Sequence, residues 1–315
     1  MKLKLFLVTA VLAVVPVWMC AQVSTGTMTG EVTDSSGAAM RDAEVRITDV
    51  GKNISRTVVT DSAGLFSVPD LLPGQYKIDV SHAGFQPQSK VGLVLSIGQT
   101  ITTNFVMQPG TQKEKMEVVG LAQQLIDTTT STLGGVIPEK LVQDLPLNGR
   151  NFENLILLVA GVAPAAQGAL APGVSTGLYN INGARSAGNS FLIDGADVVP
   201  AAAGSVDILP NLESVGEFQV LASDFSAEYG RALGGVINAH LRSGANSFHG
   251  SLFEYFRNDF LDATPPFSPI KLPYKFNQYG GSIGGPIIKN KLFFFGDYQG
   301  ERIRQSATSR TTVPC

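Results

Sequence analysis

The side chains that could carry chemistry in this 315-residue chain are few and widely separated. The histidines are His82, His240 and His249, and none begins an HxxE or HExxH string, so no pair of zinc ligands lies close in sequence. The cysteines are Cys20 and the final residue, Cys315, which supply neither an internal disulfide framework nor a cysteine-based zinc site. Gly280-Gly281-Ser282-Ile283-Gly284 spells the Gly-x-Ser-x-Gly string of a nucleophile elbow. That motif needs a strand, a sharp turn and a helix, whereas Pro286 and a hairpin pattern follow here. These residue types predict no enzyme, no metal site and no cofactor.

Charge narrows the classes further. With 23 Lys+Arg against 26 Asp+Glu the net charge is −3, which excludes a basic nucleic-acid footprint. Charged residues make up 16%, below the roughly 25% of ordinary soluble domains. The 34 glycines and 17 prolines describe a turn-rich chain with little room for helical bundles. Of the aromatic residues, 13 fall in residues 241–315 and 12 in all that precedes them, so the last quarter is built differently.

Lys2 and Lys4, the apolar run Leu5 to Val15 and Ala21 predict a secretory signal peptide over residues 1–21, with Gln22 as the first mature residue. The run is shorter than the roughly 20 residues of a spanning helix. An uncleaved anchor and a lipidated Cys20 are the alternatives. Trp18 and Met19, where a lipoprotein has small residues, argue against the second.

The elements that must position any site are mostly strands. Ala43, Val45 and Ile47 alternate with polar neighbours, as do Tyr76, Ile78 and Val80, and Ile101, Phe105 and Met107 continue the habit. Turn signals at Asp34 to Gly37, Asp61 to Gly64 and Pro73-Gly74 make residues 24–108 a small antiparallel β-sandwich. Thr29-Gly30-Glu31-Val32-Thr33-Asp34, Thr60-Asp61-Ser62-Ala63-Gly64-Leu65-Phe66 and Leu72-Pro73-Gly74-Gln75-Tyr76 resemble the carboxypeptidase-regulatory-like, transthyretin-like domain. The resemblance imports no peptidase chemistry. It leaves open whether the domain binds carbohydrate or protein, or only spaces its neighbours.

After a polar linker at 109–115 and a short strand at Met116 to Gly120, Pro138 is placed to open a helix to about Asp144, and Phe152, Leu155, Ile156 and Val159 suit one face of a second. Strands are expected near Leu178 to Ile181 and Phe191 to Ile193, closed by Asp194-Gly195. Leu145-Pro146-Leu147-Asn148-Gly149-Arg150-Asn151-Phe152, Asn182-Gly183-Ala184-Arg185, Leu192-Ile193-Asp194-Gly195, Glu217-Phe218-Gln219-Val220 and Ala227-Glu228-Tyr229-Gly230-Arg231 resemble, in order, the plug of Oar-like TonB-dependent outer-membrane receptors. Arg242 stands where a lysine is usual. The resemblance implies that Arg150, Arg185, Asp194 and Glu228 make polar contacts between plug and barrel lumen, although each could equally cap a turn. Glu117, Val118 and Val119 resemble a TonB box, which pairs with TonB by strand addition, and fit an ordinary linker strand as well.

In the tail, Tyr279, Gly281, Ile283 and Ile287 alternate with Gln278, Gly280, Ser282 and Gly284, apolar outside and small or polar inside, and Leu292, Phe294 and Tyr298 repeat the pattern. Three such strands cannot close a barrel, since the smallest have about eight. The expected architecture is therefore mainly β: signal peptide 1–21, transthyretin-like sandwich 24–108, linker 109–115, an α+β plug at 116–242, and at 243–315 the first strands of an incomplete transmembrane β-barrel. By resemblance this is the N-terminal portion of a plug-gated outer-membrane receptor with a periplasmic sandwich. Its partners would be TonB, outer-membrane lipid and a ligand of unassigned chemistry, carbohydrate among the candidates. The alternative is a soluble periplasmic or cell-surface β-sandwich module that binds carbohydrate or protein.

Overall fold

The computed structural model describes residues 25–110, 116–119, 132–145, 147, 150–164, 179–199, 206, 209–230, 232–264 and 271–305. The expected signal peptide lies outside the described residues.

The N-terminal strands are β1 (Gly26–Asp34), β2 (Glu44–Asp49), β3 (Ile54–Val59), β4 (Leu65–Leu71), β5 (Gly74–Ser81), β6 (Gln88–Leu95), β7 (Thr100–Thr102) and β8 (Phe105–Met107). They form two sheets, one built on β1 with β4, β7 and β8, the other ordered β3-β2-β5-β6. Each alternating row points into one core: Val45, Ile47, Ile78, Val80, Phe105 and Met107 are all fully or almost fully buried. Burying each such side chain contributes about 1.5–3 kcal/mol before entropy is counted. The turns are set locally. The Asp34 carboxylate accepts hydrogen bonds from the Ser36 hydroxyl and from the Ser36 and Ala38 amides, which hold its pKa below the usual carboxylate range. Asp61 accepts from Ala63 and Leu65 in the same way, with Gly64 at φ 74 completing the turn.

Two details depart from expectation. The sandwich is not wholly antiparallel, because β7 and β8 both pair parallel to β1 as the chain re-enters the first sheet. A ninth strand, β9 (Met116–Val119), pairs parallel to β6 and becomes the edge of the second sheet. A boundary at residue 116 therefore cuts through that sheet: the free edge of β6 offered hydrogen-bonding groups that the nearby chain satisfies.

The middle domain contains β10 (Leu133–Ile137), α1 (Glu139–Asp144), a 3-10 helix at Phe152–Leu158, β11 (Val162–Pro164), β12 (Tyr179–Ile181), β13 (Ser190–Ile193), β14 (Ala196–Asp197), β15 (Val215–Ser223) and β16 (Val236–Leu241). Its main sheet runs β10-β15-β16-β13-β14. Pro138 is the N-cap of α1 rather than its first helical residue, with extended backbone. The second expected helix is the 3-10 segment. Only seven residues separate its Asn151 cap, whose side chain accepts from the Glu153 amide, from the extended Val159. It still buries the expected face, and Phe152 packs on Phe191 and Phe218 with ring centroids 6.2 and 5.7 Å away. Asp194 (φ 47) and Gly195 (φ 83) form the two-residue hairpin turn between β13 and β14, both in the left-handed region that such a turn requires.

The tail is an antiparallel sheet of β17 (His249–Asn258), β18 (Tyr274–Ile288) and β19 (Leu292–Gln305). At 15 and 14 residues, β18 and β19 exceed the roughly 9–11 that cross a bilayer. Among the described residues no helix is long and apolar enough to cross a membrane, which says nothing of strands. Cross-strand register puts Leu252, Gly281 and Tyr298 on one face, and Leu252 is 93% exposed there. The opposite face carries Gln278 and Ser282, 2% and 7% exposed beneath the middle domain. The expected apolar-out, polar-in alternation is thus realised.

Candidate functional site

The polar face of the tail sheet meets the middle domain through a chain of charged and hydroxyl groups. Arg150, in the left-handed region at φ 54, donates to Glu213 Oε1 at 2.6 Å, and both side chains are largely buried. The other Glu213 oxygen accepts from Ser251 on β17 at 2.6 Å, and Ser251 lies 3.0 Å from Ser282 on β18. The Arg150 guanidinium also sits over the rings of Phe253 and Tyr255, 4.1 and 4.5 Å from their centroids. Two strands and two segments of the middle domain thus converge on one ion pair. Removing either charge alone would strand the other, a loss of about 3–5 kcal/mol for a buried pair.

A second cluster borders a cavity of about 570 Å³ lined by Asp194, Asn211, Ser214, His240, Arg242 and Asp297, among others. Asn211 donates to Asp297 on β19. Arg242 pairs with Glu139 of α1 at 3.0 Å, its backbone amide donates to the Ser214 carbonyl at 2.7 Å, and its guanidinium lies 5.9 Å from the Phe295 ring. Arg242 therefore joins α1, the turn at Ser214 and the tail sheet.

The four expected contact residues are distributed unequally. Arg150 touches the wall. Asp194 turns into the middle domain, where it lies 2.8 Å from His240 Nδ1 and accepts from the Leu241 amide, and it reaches the wall only across the cavity. Arg185 is exposed at the start of a 3-10 turn at Ser186–Gly188. Glu228 belongs to the 3-10 turn Ala227–Tyr229, and its side chain lies outside the described residues. Glu117, Val118 and Val119 lie in β9, away from this interface. Glu213, Ser251, Asn211 and Asp297 were missed because no local pattern marks them: their partners lie 38 to 86 residues distant. Among the described residues no group of acids, histidines or cysteines could hold a metal ion.

A third junction joins the sandwich to the rest. The Ile97 amide, in the β6–β7 loop, donates to Glu217 on β15, whose carboxyl pKa is pushed up by burial against the pull of Ile97 and Ser96 hydrogen bonds. Asn246 donates to the Lys52 carbonyl at 2.7 Å from its side chain and to the Gly51 carbonyl at 3.0 Å from its backbone, and contacts Asn290 in the β18–β19 turn.

Residues 27–108 match the carboxypeptidase regulatory-like domain family, and residues 240–315 match the outer membrane beta barrel domain family. The chain is 30% identical over 277 residues to the TonB-dependent transporter Oar of Myxococcus xanthus, a match spanning 81% of this chain and 25% of that relative's length. Among solved structures, the siderophore receptor PirA from Acinetobacter baumannii aligns at 24% identity with a TM-score of 0.38, covering 53% of this chain and 24% of that one. The Bacillus anthracis TIE protein aligns at 15% identity with a TM-score of 0.24, covering 27% and 17%.

A regulatory-like sandwich and strands of an outer-membrane barrel on one chain define an outer-membrane protein. The chain is a relative of the Oar-like TonB-dependent outer-membrane receptors.

Proposed function

We propose that the chain forms the front portion of a plug-gated outer-membrane transporter, in which the middle domain is the plug and TonB supplies the pull that rearranges it. The observation that carries this reading is the Arg150–Glu213–Ser251 network, which fastens the middle domain to the polar face of a wall whose other face is apolar. A buried ion pair backed by hydroxyls holds a domain firmly while it stays dry, and loses its advantage once water enters. Such a joint closes a passage at rest and yields to an applied displacement. The ligand would pass between plug and wall, where the cavity beside Asn211 and Asp297 already separates them. The sandwich stands on the periplasmic side in this reading, beside the short β18–β19 turn.

Ser214 is buried and lines that cavity. A Ser214→Cys receptor should react with externally added biotin-maleimide faster in cells that make TonB than in cells that lack it. Equal rates in the two strains contradict gating.

A further inference from the structure

We propose that the N-terminal sandwich is a strap across the joint between middle domain and wall, and that it must let go of the wall before the middle domain can move. The sandwich grips both bodies at once, through two different loops. On the middle domain it uses the β6–β7 loop. Ile97 is fully buried there although it stands outside the sandwich's own core cluster, and its amide donates to Glu217 on β15. Gly98, at φ 65, fits so closely that a Cβ would stand 2.8 Å from Gln219 Oε1. On the wall the sandwich uses the β2–β3 turn, whose Gly51 and Lys52 carbonyls accept from the backbone and side-chain nitrogens of Asn246 at 3.0 and 2.7 Å. Asn246 is fixed to the wall, because its side chain donates to Asn290 Oδ1 at 2.9 Å and accepts from the Asn290 amide at 2.8 Å in the β18–β19 turn. Two residues earlier, Gly244 lies so tight on that hairpin that a Cβ would collide with the carbonyl oxygens of Gly285 and Phe294. The two grips are unequal. The wall grip is a pair of neutral hydrogen bonds beside the exposed Gly51, and water replaces such partners at little net cost, whereas parting the other grip returns a whole isoleucine side chain to water. Displacement of the middle domain therefore takes the sandwich with it and breaks the Asn246 grip, which holds the closed arrangement at rest. The inference rests on the plug-gated, TonB-driven reading.

A Cβ on Gly51 would stand 3.9 Å from the Cβ of Ala245, within the roughly 3.5–4.5 Å that a disulfide spans between Cβ atoms. The test uses the full chain with Cys20→Ser and Cys315→Ser, the pair Gly51→Cys and Ala245→Cys as a lock, and Ser214→Cys as the reporter. Cells with and without TonB are oxidised mildly, or oxidised and then reduced and washed, and biotin-maleimide labelling is read by mass spectrometry on the peptide that carries residue 214. The pair should cross-link, the reduced chain should label faster in cells that make TonB, and the disulfide should remove that TonB-dependent excess, with reduction restoring it. A pair that does not cross-link overturns the wall grip. A TonB-dependent excess equal in oxidised and reduced chains overturns the strap, because the middle domain then moves while the sandwich stays on the wall. No excess in the reduced chain removes the gating reading and the inference with it, while the cross-link still reports the wall grip separately.

Discussion

Burial raises the pKa of Glu217, and the hydrogen bonds from Ile97 and Ser96 only partly oppose it, with His240 lowering and Glu139 raising it further. A carboxyl whose folded pKa lies above its unfolded value of about 4.3 stabilises the fold fully below that value and progressively less as pH rises through the folded one. The joint between sandwich and middle domain should therefore weaken as pH rises from the ordinary carboxylate range. Glu217→Gln keeps an oxygen for the Ile97 amide and removes the buried charge. Its melting temperature should match that of the parent near pH 4.3 and exceed it increasingly toward neutrality. A difference that does not vary with pH contradicts this assignment. Arg150 illustrates the opposite balance: its charge is answered by Glu213 and two aromatic faces, so the pair is costly to break on one side alone.

Among the elements, the sandwich has the most self-contained physics. Its buried cluster is drawn wholly from residues 28 to 107, and its turns are fixed by Asp34 and Asp61 acting on their own neighbours. A fragment of residues 24–108 should fold alone, and a fragment of residues 24–119 should melt higher because β9 covers the β6 edge. Circular dichroism melts decide this: a random-coil spectrum for the first, or equal midpoints for both, contradicts it. The same locality explains what the sequence disclosed. Period-two rows such as Tyr76-Ile78-Val80, and the Asp194-Gly195 turn, carry their structure within a few residues and were legible. The parallel return of β7 and β8, the capture of β9 by β6, and the junctions Glu217–Ile97 and Asn246–Lys52 depend on partners up to 194 residues away, and no spacing announces them. Arg150 was legible as a contact residue through its motif, whereas its partner Glu213 sits in an unremarked turn at Leu212–Ser214.

For the whole molecule, the described residues make three units joined by polar contacts, and a broad apolar surface covers the outer face of the β17-β18-β19 sheet. Leu252, Phe256, Tyr279, Ile283 and Tyr298 stand exposed there, while Gln278 and Ser282 are covered. In the proposed reading this patch, on a sheet with polar groups behind it, is the lipid-facing side of an outer-membrane wall. The most direct test places single cysteines at Gln278, Tyr279, Ser282 and Ile283 in the full chain whose Cys20 and Cys315 are serine, labels each with a nitroxide, and measures collision with oxygen in outer-membrane preparations. Positions 279 and 283 should show the high oxygen accessibility of the bilayer interior, and 278 and 282 should be shielded. Uniform accessibility along β18, or water exposure at 279 and 283, would contradict the assignment of this sheet to the barrel wall and the plug reading built on it.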